Sequence, residues 1–171
     1  MTQQQDQSEL DDVDQGLYTQ AQLTELMEQL IPFNAHLGVK VYHFTRGDVT
    51  LLLEPRSSFT GDPLRPALHG GLVATLADTA AGMAVFSLLR KPSTTSTINL
   101  KIDYLRPGKV DAPLYAKSKV IRKGSRVCFT QTSLYQRDSQ QPIAISSATY
   151  SVVEEIDLPI KESLDEGSKE A

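Results

Sequence analysis

The stretch that decides the fold is His69-Gly70-Gly71-Leu72-Val73-Ala74-Thr75-Leu76-Ala77-Asp78-Thr79-Ala80-Ala81-Gly82-Met83-Ala84-Val85-Phe86. Continued to Leu89, it reads as one helix that is apolar on nearly every side, the pattern of a helix enclosed by the rest of the fold. Its single charge is Asp78. A lone carboxylate on an enclosed helix is costly unless a partner satisfies it or the protein uses it. Gly70 and Gly71 stand where the helix begins. Lacking Cβ atoms, they let backbone N–H groups approach a ligand closely, and a helix N-terminus favours negative charge there. One helix thus offers a candidate base and a candidate anion hole.

The same stretch, about 20 residues, is long enough to cross a bilayer. Asp78 argues against that reading, because a charge at mid-span costs about 2.5–3.5 kcal/mol on insertion scales. The surrounding sequence is strand-like and soluble in pattern. Before the helix, residues 19–31 read as a short amphipathic helix capped by Thr19, with Leu23, Leu26, Met27 and Leu30 at helical spacing and Ile31-Pro32-Phe33 ending it. Strands are expected at about 37–45 and 48–54 around an Arg46-Gly47-Asp48 turn, followed by a Pro-rich loop over 55–68. After Pro92, Ile98, Leu100, Ile102 and Tyr104 alternate with Thr97, Asn99, Lys101 and Asp103, a half-buried antiparallel strand ended by Arg106-Pro107-Gly108. Further strands follow at 113–122 and 126–136, joined by a two-residue loop at Gly124-Ser125, and at 142–153.

An apolar helix needs an apolar surface around it. The simplest α+β solution is a six-stranded curved antiparallel sheet wrapped about the long central helix, with the short N-terminal helix beside it. Such a sheet has two edges, and pairing two copies covers one on each. A homodimer with a continuous sheet is therefore expected, with a dimer of dimers a further possibility.

At 171 residues the chain suits one domain, 17–153, between two acidic tails. Residues 1–16 carry five acids and no base, and residues 154–171 carry seven acids and two lysines. The body between them holds 15 basic and nine acidic residues. That mild positive balance suits a small polyanionic ligand, and scattered solvated cations explain it equally well; nothing supports nucleic-acid binding. The single cysteine, Cys128, excludes an intrachain disulfide and points to a reducing compartment, the cytoplasm. No signal peptide is seen at the N-terminus. His36, His43 and His69 fall into no metal-ligand spacing, and no cofactor is expected.

His69-Gly70-Gly71 leading to Leu76-Ala77-Asp78-Thr79-Ala80, together with the strand Thr97-Ile98-Asn99-Leu100-Lys101-Ile102-Asp103-Tyr104-Leu105-Arg106-Pro107 and the opening Pro32-Phe33-Asn34…Leu37-Gly38, resembles the hotdog-fold acyl-CoA thioesterases of the PaaI-like superfamily. The likeness spans about 31–153. It is nearest to bacterial medium- to long-chain acyl-CoA thioesterases. It implies hydrolysis of acyl-CoA to a free acid and CoA, with no metal or organic cofactor.

Thioester hydrolysis needs a carboxylate that activates water or attacks directly, donors for the forming oxyanion, and a groove for the acyl chain. Asp78 is the candidate base or nucleophile, against the alternative of a carboxylate satisfied by neighbouring hydroxyls. Gly70 is the candidate oxyanion donor through its N–H, with Gly71 beside it; both also permit tight packing. Gly70 and Asp78 are eight residues apart, about 12 Å along a helix. That is too far for both to reach one thioester carbon and its oxygen, so the two groups of one site should come from different chains. His69 caps the helix, lines the site or hydrogen-bonds the carbonyl. The resemblance places Thr97 where related enzymes carry a Ser or Thr that orients the attacking water, with Ser96 the alternative if the register slips by one. Some related enzymes hold that water with an Asn before His-Gly-Gly; here the loop 61–68 has none, and Asp62 or a bound water would take its place. Arg122, Lys123 and Arg126 around Gly124-Ser125 form either a site for CoA phosphates or a solvated turn. Met83 and Phe86 line an acyl tunnel or belong to the core. Cys128 reads as a core cysteine. Two rivals remain: a hotdog hydratase or dehydratase pairing His69 with Asp78, and a non-catalytic acyl-CoA binding module.

Overall fold

The computed structural model describes residues 16–62 and 64–154. The acidic tails read from the sequence lie outside the described residues, apart from Gly16 and the backbone of Glu154.

The N-terminal segment is more divided than its periodicity suggests. Helix α1 (Gln20–Glu25) opens with a capping box, in which the Thr19 hydroxyl accepts from the Gln22 N–H while the Gln22 side chain accepts from the Thr19 N–H. It widens into a π-helical turn over Leu26–Leu30. At Pro32 the chain starts a separate helix, α2 (Pro32–Leu37), ended by Gly38 at φ 73°. The expected strand start at residue 37 is therefore corrected. Proline at the first helical position and glycine just past the last are a helix signature, and strand β1 (Lys40–Thr45) begins only after it.

The turn Arg46-Gly47, with Gly47 at φ 75°, returns the chain into β2 (Asp48–Leu53), with Thr45 opposite Asp48. Helix α3 (Gly70–Phe86) stops three residues short of the expected Leu89, its last turn closed by the Ser87 N–H on the Met83 carbonyl. Strand β3 (Ser93–Tyr104) is followed by β4 (Leu114–Lys123), β5 (Val127–Tyr135) and β6 (Ala144–Glu154). The β4–β5 connection is longer than the two residues expected, because Lys123 pairs with Cys128.

The six strands form one antiparallel sheet in the order β1-β2-β4-β5-β6-β3. Its inner face wraps α3. Val49, Leu51, Leu53, Leu114, Ala116, Leu134 and Ala144 from the sheet meet Val73, Leu76, Ala77, Ala80, Met83 and Ala84 from the helix, and a second cluster joins Ala81 and Val85 to Cys128, Ala148, Tyr150 and Val152. The alanines keep the helix close to the strands. This is the α+β hotdog arrangement the sequence predicts. The enclosure has one gap: Gly71, Thr75, Asp78, Thr79, Gly82 and Phe86, spaced along one stripe of α3, are not buried.

The sheet ends differently at its two edges. At β1 the Glu28 carboxylate accepts from the Val41 N–H at 2.9 Å and pairs with Lys40 at 2.7 Å, and the strand is bulged at Tyr42. The other edge, β3, is twelve residues long and has no neighbour beyond it among the described residues. Ile98, at 59% exposure, and Tyr104, at 54%, stand open on it.

Candidate active site

Asp78 sits halfway along α3, on the uncovered stripe. Two hydroxyls hold it. Thr97 donates its Oγ1–H to Asp78 Oδ1 at 3.0 Å, and the Tyr150 hydroxyl lies 2.7 Å from the same oxygen and 2.8 Å from the Asp78 carbonyl. Among the described residues nothing bonds Oδ2. Tyr150 is 2% exposed. Burial, the hydrogen bond to Asp78 and the charge of that carboxylate together push its hydroxyl far above the usual tyrosine range, so it stays a donor.

Strict alternation in β3 would send Thr97 to the face opposite Leu100 and Ile102. A bulge at Ile98 changes this: Thr97 pairs with Tyr150 and Asn99 with Thr149, so Ile98 has no partner. The extra residue puts Thr97 on the inner face and turns Ile98 outward. Ser96, the alternative, is exposed and offers its carbonyl to Ser151. Tyr150 is inconspicuous in the sequence because Ala148, Tyr150 and Val152 form an ordinary inward alternation. The signal available was a lone hydroxyl-bearing aromatic in an otherwise aliphatic run, since a buried tyrosine hydroxyl needs a partner.

Asp78 opens into a cleft of about 440 Å³. Its floor is Thr79, Gly82, Met83 and Phe86 of α3. Leu26, Met27, Ile31 and Asn34 form one wall, and the start of β3 with Tyr150 forms the other. Asn34 is a second residue whose place the sequence did not show: it is buried, and its amide lies 3.7 Å from the Met27 sulfur. Met27 comes from the π-helical turn, a feature that often marks functional segments.

Gly70 lies elsewhere. It lines a separate cleft of about 590 Å³ with His69, Tyr104, Arg65, Arg106 and Asp62. As the first helical residue it has no intrahelical acceptor for its N–H. His69 is the N-cap, and its Nδ1 accepts from the Gly71 N–H at 3.0 Å. An accepting Nδ1 places the imidazole proton on Nε2, and the ring is exposed. The Tyr104 hydroxyl donates to the Gly70 carbonyl at 2.9 Å. Asp62 accepts from the Leu64 and Arg65 N–H groups and from the Arg65 side chain, contacts that hold its carboxyl below the usual range. It serves its own loop and does not reach Asp78 within the chain.

The structure thus joins Asp78 with Thr97 and His69 with Gly70 and Gly71, in two clefts at different levels of one helix. Arg122, Lys123, Ser125 and Arg126 are exposed at the β4–β5 tip, with Gly124 bonded to the Val127 carbonyl. Lys123 donates to the Leu88 carbonyl at 2.7 Å, which sets this tip beyond the C-terminal end of α3 and outside both clefts. The cations lining the Gly70 cleft are Arg65 and Arg106. Cys128 is buried, and burial raises its thiol above the usual range, leaving it inert. Among the described residues no group of His, Cys, Asp and Glu could hold a metal, and no helix is long and apolar enough to cross a membrane.

An enclosed helix with a hydroxyl-bound aspartate and a Gly-Gly N-terminus, wrapped by a hotdog sheet, defines a class. The sequence profile of the Thioesterase superfamily matches residues 66–143. The medium/long-chain acyl-CoA thioesterase YigI of Salmonella typhimurium is 32% identical over 141 residues, which span 75% of this chain and 90% of that one. A thioesterase of Haemophilus influenzae superposes with a TM-score of 0.71 at 21% identity, covering 82% of this chain and 94% of that one. The PaaI protein of the Escherichia coli phenylacetic acid degradation operon does so at 0.69 and 20%, covering 78% and 92%. The chain belongs to the thioesterase superfamily and is a thioester hydrolase.

Proposed function

We propose that this enzyme hydrolyses acyl-CoA thioesters to the free acid and CoA, with Asp78 of one protomer and the Gly70 N–H of a second protomer acting on the same thioester. The observation that carries the proposal is the Asp78 carboxylate itself: one oxygen fixed by Thr97 and Tyr150, the other turned to an apolar cleft. Oδ2 either takes a proton from water, whose oxygen adds to the thioester carbon, or adds to that carbon directly. The carbonyl oxygen gains the charge and is stabilised by the Gly70 N–H and the helix N-terminus. Collapse of the tetrahedral adduct breaks the carbon–sulfur bond and expels the CoA thiolate. On the water route the thiolate takes back the proton held by Asp78. On the direct route a water molecule then hydrolyses the acyl-aspartate anhydride, freeing the acid and regenerating the carboxylate, while the thiolate takes a proton released in that step.

The two-chain arrangement has support beyond the 12 Å or so of helix between the groups. Thr97, which binds Asp78, and Tyr104, which binds Gly70, lie seven residues apart on the open edge strand β3. A second copy added antiparallel to β3, with its two-fold axis at Lys101 and Ile98 left out of the pairing by its bulge, sets Thr97 of each copy opposite Tyr104 of the other. Asp78 and Gly70 then meet across the interface twice, giving two equivalent sites. The residues 17–153 form the catalytic domain in this reading.

The test is free-thiol release from short, medium, long and aromatic acyl-CoAs by wild type and Asp78→Asn side by side. Turnover by the wild type that collapses in a folded variant is expected. No release from any member by folded wild type would overturn the proposal.

A further inference from the structure

We propose that the stacked pair Phe86–Tyr18 forms the end wall of the Asp78 cleft and sets the longest straight acyl chain this enzyme accommodates. The inference rests on the acyl-CoA reading above and adds to it which residues measure the substrate.

The cleft runs along α3 from Asp78 through Thr79, Gly82 and Met83 to Phe86, between the apolar wall of Leu26, Met27 and Ile31 and the start of β3. Asp78 and Phe86 are eight residues apart, about 12 Å along the helix. An extended alkyl chain built from bonds of about 1.5 Å covers that length in about ten carbons. A thioester carbon held at Asp78 therefore leads its alkyl chain along the floor, and the chain meets the Phe86 ring at its end.

That ring is backed and cannot swing aside freely. Tyr18 stacks on Phe86 with centroids 5.2 Å apart and planes 12° from parallel. Tyr18 is tied down in turn: Arg46 donates to its carbonyl and to the Ser87 carbonyl, each at 2.9 Å. The neighbouring Leu17 N–H donates to the Leu89 carbonyl at 2.7 Å. The Ser87 hydroxyl accepts from the Gly47 N–H and donates to the Ala84 carbonyl, which fixes the helix end that carries the wall. Rotating Phe86 out of the way means breaking the stack and loosening the segment Gly16–Tyr18.

Gly82 supplies an independent check from the middle of the floor. A Cβ added there meets only the Tyr150 ring, at 3.6 Å, an ordinary contact. A side chain at 82 fits the fold and fills the cleft about 6 Å from Asp78.

The experiment measures kcat/KM on straight-chain acyl-CoAs from four to sixteen carbons for wild type, Phe86→Ala and Gly82→Leu, with folding of each checked by circular dichroism. Wild type should rise to an optimum near about ten carbons and fall beyond it. A buried methylene is worth about a factor of four. In Phe86→Ala the preference for fourteen over ten carbons should therefore rise at least about tenfold. In Gly82→Leu the optimum should move the opposite way, to about five carbons. Should Phe86→Ala fail to fold, Phe86→Trp takes its place and should shorten the optimum. Profiles that coincide in all folded variants, or a wild-type optimum at four or at sixteen carbons, would overturn the end-wall proposal alone. Failure of wild type to release thiol from every member would instead overturn the acyl-CoA reading.

Discussion

Tyr150 and Asp78, 72 residues apart in the chain, meet with the Tyr150 hydroxyl 2.7 Å from the aspartate Oδ1 and 2.8 Å from its backbone carbonyl. The carboxylate is thereby fixed in rotation as well as in place. Tyr150→Phe keeps the ring that packs in the core and removes the hydroxyl. The expected result is a kcat lower by about tenfold, the value of one modest hydrogen bond to a charged group, with KM little changed. Steady-state kinetics on one good acyl-CoA substrate check it; a variant with wild-type kcat would show that the hydroxyl does no positioning.

The same hydroxyl makes a pH-dependent contribution to stability. Its folded-state pKa lies above the unfolded value of about 10. The stabilisation it brings is therefore complete below pH 10 or so, and is lost as pH rises beyond that, because only the unfolded chain then sheds the proton. Tyr18 and Tyr135 are raised by burial in the same direction. Thermal unfolding of wild type should show Tm falling above about pH 10, and Tyr150→Phe should fall less steeply over the same range.

Thr97 and its bulge supply the second grip on Oδ1. Thr97→Val removes the hydroxyl in a side chain of the same shape, and Thr97→Ser restores it. Turnover should fall about tenfold in the first and recover to near wild type in the second. If both behave alike, the hydroxyl is not what matters at this position.

Gly70 can be tested without disturbing the helix. It is the first helical residue, where proline is accepted, and His69 before it has the extended backbone (φ −63°, ψ 127°) that a following proline prefers. Gly70→Pro replaces the N–H with a ring methylene, and its Cβ lies at an ordinary 3.5 Å from the Tyr104 ring; kcat should fall about 10²–10³-fold. Because the site is proposed to need one residue from each copy, mixing Gly70→Pro with Asp78→Asn protomers should restore activity, as one intact site forms in each mixed pair. Two inactive variants that stay inactive after subunit exchange would place both groups on one chain.

Leu76, fully buried on α3 two residues before the aspartate, separates stability from catalysis. Leu76→Ala should cost about 2–5 kcal/mol of stability through the cavity it leaves. Asp78→Asn should unfold within about 1 kcal/mol of wild type, since the amide keeps an acceptor for the Tyr150 and Thr97 hydroxyls. Chemical denaturation of both variants decides this.

Much of this arrangement was legible because α3 states it locally: an enclosed helix, one charge and two glycines at its start are all visible within eighteen residues. Tyr150 was not legible, because its role depends on which strand lies opposite it. Thr97 was found through the family resemblance, while simple alternation would have sent it to the wrong face. The bulge at Ile98 that corrects this is set by pairing with β6, a partner about fifty residues later. The short helix Pro32–Leu37 was missed for another reason. By periodicity Pro32 suits the end of one helix, whereas in the structure it starts the next, and both positions suit a residue that lacks an N–H.

The contrast between the two sheet edges bears on how large an assembly can grow. A unit with a single reactive end can only couple once, whereas one with two such ends polymerises. Glu28 caps one end of this sheet with a charge and a borrowed hydrogen bond and leaves β3 as the other. In the pair proposed above, edge pairing through β3 alone would end growth at two copies. The carboxylate that closes β1 would then act as a chain stopper, and its loss would turn a self-limiting assembly into one able to extend as a ribbon.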